Sequence, residues 1–298
     1  MEFLQPLTWS DALAAKAANP DAIPIAGGTD IMVELNFDKR RPPTLLDLTR
    51  VAELTQWERS DGHIRLGAGV SYTRIIDELA AELPGLAMAS RTVGSPQIRN
   101  RGTVGGNLGS ASPAGDAHPP LLTVDAVVEA ESARSGRRQI PIGEFFTGVK
   151  RNALAPDELI AAVRIPIRRG PEQFSKVGTR NAMVIAVCSF AVALDAERRT
   201  VGTGIGSAAP TPRRAVPAQD LAAAELPWDD PTAPLDPDLA ARFGDLVAAA
   251  ADPIDDVRGT AAYRTRALSV LARRTLAWAW ADYAGFLGEA GDADGRRG

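Results

Sequence analysis

Residues Gln97 to Asp116 read QIRNRGTVGGNLGSASPAGD. Gly102, Gly105, Gly106, Gly109 and Gly115 are interleaved with the small hydroxyl residues Thr103, Ser110 and Ser112. Such a stretch loses much backbone entropy on ordering and offers little apolar surface in return. Contact with something beyond its own side chains has to hold it. Adjacent glycines let successive N–H groups point into one concavity and let the main chain approach a ligand closely, which is the geometry of an anion nest. A diphosphate suits that geometry; the plainer alternative is that the glycines turn corners between strands.

A second run weighs against mere corners. Ile23-Pro24-Ile25-Ala26-Gly27-Gly28-Thr29-Asp30-Ile31 predicts a short strand over 23–26, a Gly-Gly turn and the start of an amphipathic segment. Unpaired N–H groups collect where a helix begins, so this arrangement is an anion site in its own right. Thr29 and Asp30 also suit a simple helix cap.

The 298 residues, 45% hydrophobic and 23% charged, suffice for two or three subdomains with a substantial core. A net charge of −4, with arginines dispersed among acids, argues against a nucleic-acid surface. The start, MEFLQPLTWSDALAAKAANP, lacks the basic and apolar regions of a signal peptide, and no stretch reaches the roughly 20 apolar residues of a membrane span. A cytoplasmic protein is expected. The single cysteine, Cys188, cannot form an internal disulfide or supply the roughly four thiolates of an iron-sulfur cluster, and reads as core. His63 and His118 match no zinc spacing; His63 reads as a solvated turn residue and His118 as a loop or cap residue.

Periodicity predicts a helix over 10–18 capped by Ser10, strands over 44–48 and 63–68, a helix from Ser71 or Thr73 to Leu79, and helices over 86–93 and 116–124. Strands follow at 127–131, 138–142, 159–165 and 174–178, then an antiparallel pair at 186–195 and 200–208. Gly202-Thr203-Gly204-Ile205-Gly206 invites a nicotinamide-site reading, rejected because Ser207, Pro210 and Pro212 follow and no helix opens. A proline-rich loop over 227–237 precedes two helices, 237–251 and 260–283, with Tyr263, Ala267, Val270 and Leu271 on one face of the second.

AGGTD at 26–30 and TVGGN at 103–107, with QIRNRGTVGG at 97–106, ASPAGD at 111–116 and DDVRGTAAYR at 255–264, resemble the FAD-binding medium subunit of the molybdenum hydroxylases, the xanthine dehydrogenase and carbon monoxide dehydrogenase family. The resemblance covers nearly the whole chain. It implies an α+β fold: two α/β subdomains of the FAD-binding PCMH (vanillyl-alcohol-oxidase-like) type, 1–56 and 57–176, then a C-terminal small antiparallel sheet with helices, 177–288. Residues 289–298 read as a mobile tail.

The resemblance also implies FAD on this chain. Its diphosphate is expected between Ile25, Ala26, Gly27, Gly28, Thr29 and Asp30 on one side and Thr103, Val104, Gly105, Gly106 and Asn107 on the other. Asp116 is implied to accept hydrogen bonds from ribose or ribityl hydroxyls, with Ser110 and Ser112 as weaker candidates; capping the helix that follows is its alternative role. Ile160 is implied as the aliphatic wall of the flavin ring and Lys176 as the positive charge at its pyrimidine end, where reduced flavin becomes anionic. A slip of one residue puts Ser175 there instead, and core packing and a solvated charge are the plain alternatives. The family's ring-stacking aromatic falls on Val93, a departure from the pattern.

No acid, base or nucleophile constellation is visible, so by resemblance the chain is the relay of a three-subunit oxidoreductase. A large subunit with the molybdenum cofactor oxidises substrate, a small subunit with two [2Fe-2S] clusters passes electrons singly, and the flavin collects pairs for an external acceptor. A heterotrimer or dimer of heterotrimers is implied. A free-standing flavin oxidase of the vanillyl-alcohol oxidase type is the rival, disfavoured because no substrate domain with catalytic tyrosines or histidines is visible. The intact glycine pairs argue against a scaffold that has lost its cofactor.

Overall fold

The computed structural model describes the backbone of residues 1–294 and side chains through Phe286. The first subdomain holds β1 (Glu2–Leu4), α1 (Trp9–Ala18), β2 (Ile23–Ile25), α2 (Ile31–Asn36) and β3 (Thr44–Asp47). Its sheet, ordered β1-β3-β2, is parallel throughout, and the central β3 is buried along its length. Helix α1 starts one residue before the expected position and is capped by Thr8 rather than Ser10: the Thr8 hydroxyl oxygen accepts from the Asp11 amide at 3.1 Å.

The second subdomain begins with β4 (Trp57–Ser60) and β5 (His63–Gly67). Five helices follow: α3 (Tyr72–Glu78), α4 (Pro84–Arg91), α5 (Pro96–Arg101), α6 (Val104–Ser110) and α7 (His118–Thr123). Then come β6 (Val127–Ser132), β7 (Gly136–Pro141), α8 (Ile142–Phe145), β8 (Phe146–Gly148), β9 (Arg151–Asn152) and β10 (Leu159–Pro166). The main sheet is antiparallel in the order β4-β5-β10-β6-β7. A bulge between Ile160 and Ala162 interrupts the central strand, as bulges do where a side chain must be re-aimed. The first two subdomains share one hydrophobic core, in which Leu46, Ile64, Leu66, Leu108 and Phe145 are sealed from solvent.

The third unit is the antiparallel sheet β11 (Glu172–Val177), β12 (Cys188–Asp195) and β13 (Thr200–Gly206), followed by α9 (Val216–Glu225), α10 (Pro237–Ala249) and α11 (Ala261–Asp294). Because β11 pairs with β12, a division after residue 176 would cut a strand, and we place it between β10 and β11. Helix α11 takes in residues 289–294 of the expected tail; 295–298 lie outside the described residues.

The inward face of α11 differs from the expected one. Leu271 is buried and Ala267 packs against the core as expected, but Tyr263 and Val270 are exposed, and Arg264, Leu268, Ala272, Thr275, Leu276 and Ala279 are buried instead. The offset originates at Arg264, 2% exposed, whose guanidinium donates to the carbonyls of Val187 at 2.6 Å and Ser207 at 2.7 Å and pairs with Asp256. The glycines of β13 serve packing. A Cβ on Gly202 would fall 2.0 Å from the Thr123 carbonyl oxygen and one on Gly204 2.2 Å from that of Pro119, so α7 lies backbone to backbone on the third sheet.

Candidate cofactor site

The two glycine runs meet in space. A Cβ on Gly27 would fall 1.8 Å from the Arg101 carbonyl oxygen, and one on Gly106 would sit 3.6 Å from the Ala26 Cβ. Gly105 and Gly106 divide the work between them. The missing side chain of Gly105 lets α6 close onto Ala68, where a Cβ would fall 2.5 Å from the Ala68 carbonyl oxygen, while Gly106 is exposed and faces the other run.

The expected turn at 103–107 is the first turn of α6. Thr103 caps it, its Oγ1 accepting from the Gly106 amide at 2.9 Å. The amides of Val104 and Gly105 have no intrahelical acceptor and remain available. The Thr103 hydroxyl proton stays free to donate, because capping uses only an oxygen lone pair. Val104 is fully buried, so only its backbone can face a ligand; the Ile25 side chain is also core. At the other run, Gly28 is left-handed with φ +75°, and α2 starts after Asp30, whose side chain caps nothing.

Asp116 lies between α6 and α7, 8% exposed. Its Oδ2 accepts from Lys176 Nζ at 2.6 Å and from the Thr92 hydroxyl at 3.3 Å, and it does not cap α7, whose N-cap is Ala117. Burial pushes the Asp116 carboxyl up, opposed by the Lys176 ammonium and the Thr92 hydroxyl. Lys176 also donates to the carbonyls of Thr92 at 3.0 Å and Val184 at 3.2 Å, so all three ammonium protons have acceptors and the charge is not a solvated edge.

Three buried oxygens in this region lack partners: Asp116 Oδ1, Asn107 Oδ1 and the Tyr72 hydroxyl. The Tyr72 amide donates to the Gly102 carbonyl, and burial with the nearby Asp116 charge raises its phenol well above the usual range. Each such orphan costs about 1–3 kcal/mol. A ligand rich in hydroxyls and carrying linked phosphates meets both needs, hydroxyls for the acceptors and phosphates for the free amides, so the residues present fit FAD.

The remaining candidates are placed as follows. Ile160 is 8% exposed, with its Cδ1 4.0 Å from where a Cβ on Gly109 would stand. Ser110 donates to the Asn107 carbonyl within its own helix, and Ser112 Oγ accepts from the Ala114 amide, so both are engaged locally. Thr29 is half-buried beside Gly28, and Val93 is half-buried with its amide on the Ser90 carbonyl.

Sequence reasoning missed Tyr72 and misjudged His118. His118 is fully buried, its Nε2 3.3 Å from the Asn107 carbonyl oxygen and its ring 4.5 Å from that of Phe146. A Cβ on Gly115 would collide with this ring at 2.3 Å, so the glycine before Asp116 exists to admit the imidazole. Burial lowers His118 to about 4, and the ring is neutral at physiological pH.

Residues 1–168 match the family described as "FAD binding domain in molybdopterin dehydrogenase", and 173–279 match "CO dehydrogenase flavoprotein C-terminal domain". The nicotine 6-hydroxylase medium subunit of Paenarthrobacter nicotinovorans is 31% identical over 284 residues, 93% of this chain and 96% of that one. The nicotinate dehydrogenase FAD-subunit of Eubacterium barkeri is 35% identical over 211 residues, 68% of this chain and 71% of that one. Among solved structures, carbon monoxide dehydrogenase from Oligotropha carboxidovorans superposes with a TM-score of 0.87 at 27% identity, over 94% of this chain and 98% of the other. With two meeting glycine runs and both halves matched, the chain belongs to the molybdenum hydroxylase family as an FAD-binding medium subunit.

Proposed function

We propose that this chain is the electron relay of a heteromeric molybdenum hydroxylase, receiving electrons from [2Fe-2S] clusters on a small subunit and passing them to an external acceptor. A large subunit carries the molybdenum cofactor, and the assembly is a heterotrimer or a dimer of heterotrimers. The observation that carries this reading is the meeting of Gly27 and Gly106 with the opposite runs beside the unpartnered oxygens of Asp116 and Asn107.

In this reading the amides of 27–30 and 104–105 neutralise the diphosphate, helped by the hydroxyl protons of Thr29 and Thr103. Asp116 Oδ1 and Asn107 Oδ1 accept from sugar or ribityl hydroxyls. Ile160 supplies an aliphatic wall. Lys176, held by Asp116 and the carbonyls of Thr92 and Val184, is placed near the pyrimidine end of the ring as one member of an ion pair, oriented by the protein and not by solvent. When bound, FAD supplies redox chemistry able to accept electrons singly and release them in pairs. Among the described residues no helix is long and apolar enough to cross a membrane.

The test is flavin absorbance in the assembled complex. A panel of purines, N-heterocycles, aldehydes and carbon monoxide is expected to contain a substrate that bleaches the flavin, with colour restored by an acceptor; the isolated FAD-loaded chain stays oxidised with the same substrate. Turnover by the isolated chain contradicts the relay.

A further inference from the structure

Strand β11 runs beside α4 from one end of the helix to the other. Glu172 Oε2 accepts from the Gly85 amide in the first turn at 3.0 Å, Phe174 packs with Met88 and Ala89, and Lys176 Nζ donates to the carbonyl of Thr92, the C-cap, at 3.0 Å. The lengths agree, since four strand residues rise about 13 Å and seven helical residues about 10 Å. A carboxylate at the N-terminus and an ammonium at the C-terminus complement the helix dipole from outside. Helix α4 has no capping side chain of its own, because its N-cap is Leu83; Glu172, 6% exposed, supplies the acceptor from another subdomain.

We propose that Glu172 is a positioning residue for the Lys176–Asp116 pair, holding α4 by its first turn so that Thr92 at the far end keeps the ammonium on the Asp116 carboxylate. The inference rests on the cofactor reading above for its effect on FAD. Few charges face Glu172. Arg168, on the link from β10, is the nearby cation and is itself held by Asp125 at 2.6 Å and Asp195 at 3.3 Å. From β12, Ala193 stands opposite and Asp195 lies two residues on; the one charged side chain of α4, Arg91, is exposed. Burial raises Glu172 to about 7, against the Gly85 amide and the Arg168 charge. A buried carboxyl raised in this way contributes stability while protonated, its carbonyl oxygen still accepting from Gly85, and that contribution is lost as pH rises through about 7, so the helix end is held most firmly below that point.

Two measurements between pH 6 and 8.5 test this on the full chain: the FAD dissociation constant, and hydrogen exchange at the Thr92 and Val93 amides of the FAD-free protein, corrected for its intrinsic pH dependence. Wild type is expected to bind FAD about fivefold tighter below neutrality than above it, with a matching step in protection. Glu172→Gln keeps an acceptor for Gly85 but cannot ionise, and is expected to fold, bind with the low-pH affinity throughout and show no step. Gly85→Ala places a Cβ 2.7 Å from Glu172 Oε2 and is expected to blunt the step. An exchange step that persists in Glu172→Gln, or no step in wild type, overturns the proposal. An exchange step without any FAD binding upholds the positioning role and overturns the cofactor reading instead.

Discussion

Lys176 Nζ and Asp116 Oδ2 stand 2.6 Å apart with each side chain only 10% exposed, and the two residues come from different subdomains. The pair fastens the third sheet to the loop that follows α6. Breaking a buried pair by removing one partner leaves the other charge uncompensated.

Lys176→Met is therefore expected to lower stability by about 3–5 kcal/mol at pH 8. The loss has a defined pH sign. Burial already holds the Asp116 carboxyl above its unfolded value, and removing the ammonium raises it further. A raised carboxyl contributes stability at low pH that is lost as pH rises through the folded value, so the deficit shrinks toward pH 5. Urea unfolding at both pH values checks this; an equal deficit at both contradicts it.

Gly27 and Gly106 separate packing from binding. Gly27→Ala forces a methyl against the Arg101 carbonyl and is expected to cost about 1–3 kcal/mol of stability as well as FAD affinity. Gly106→Ile, at an exposed position, is expected to leave the melting temperature within a few degrees and abolish FAD retention. Normal FAD binding by Gly106→Ile would show that this face is not the cradle.

His118 is depressed to about 4 by burial, so between that value and the ordinary 6.5 the unfolded chain binds a proton that the folded chain does not. Stability falls as pH drops through this window, by about 3 kcal/mol in full. Denaturation of His118→Gln across pH 4–7 is expected to show a shallower acid slope than wild type. An unchanged slope contradicts the assignment.

Arg264 donates to two carbonyls, one at the start of β12 and one just past β13, while pairing with Asp256. Arg264→Met is expected to destabilise by about 2–5 kcal/mol, since it strands two buried carbonyls, while Asp256 keeps Arg258 as a partner. Calorimetry on this variant checks the magnitude; a shift within experimental error shows the cluster to be dispensable.

The sequence carries the glycine runs plainly because glycine spacing reports a backbone requirement, and the requirement here is that Gly27 lets the first run touch Arg101 and Gly105 lets α6 close onto Ala68. It carries α6 poorly: VGGNLGS has weak helix propensity, and the helix forms because Thr103 caps it and Val104 and Leu108 are buried. The α11 face is displaced because Arg264 reads as a solvated charge and is buried against carbonyls supplied from far along the chain. The Lys176–Asp116 contact depends on the register of β11 against β12 and on the course of the 111–117 loop, neither of which local periodicity encodes. His118 reads as polar, and only the space vacated by Gly115 makes it a core residue.

The most direct measurement of the central claim compares ligands that share the flavin ring and differ in phosphate content. Titrating the cofactor-free chain with FAD, FMN and riboflavin, followed by flavin fluorescence, is expected to give one FAD per chain with an affinity at least about a hundredfold above riboflavin, as main-chain contacts to both phosphates require. Equal affinity for FAD and riboflavin, or no binding of either, would contradict a cradle built from the two glycine runs.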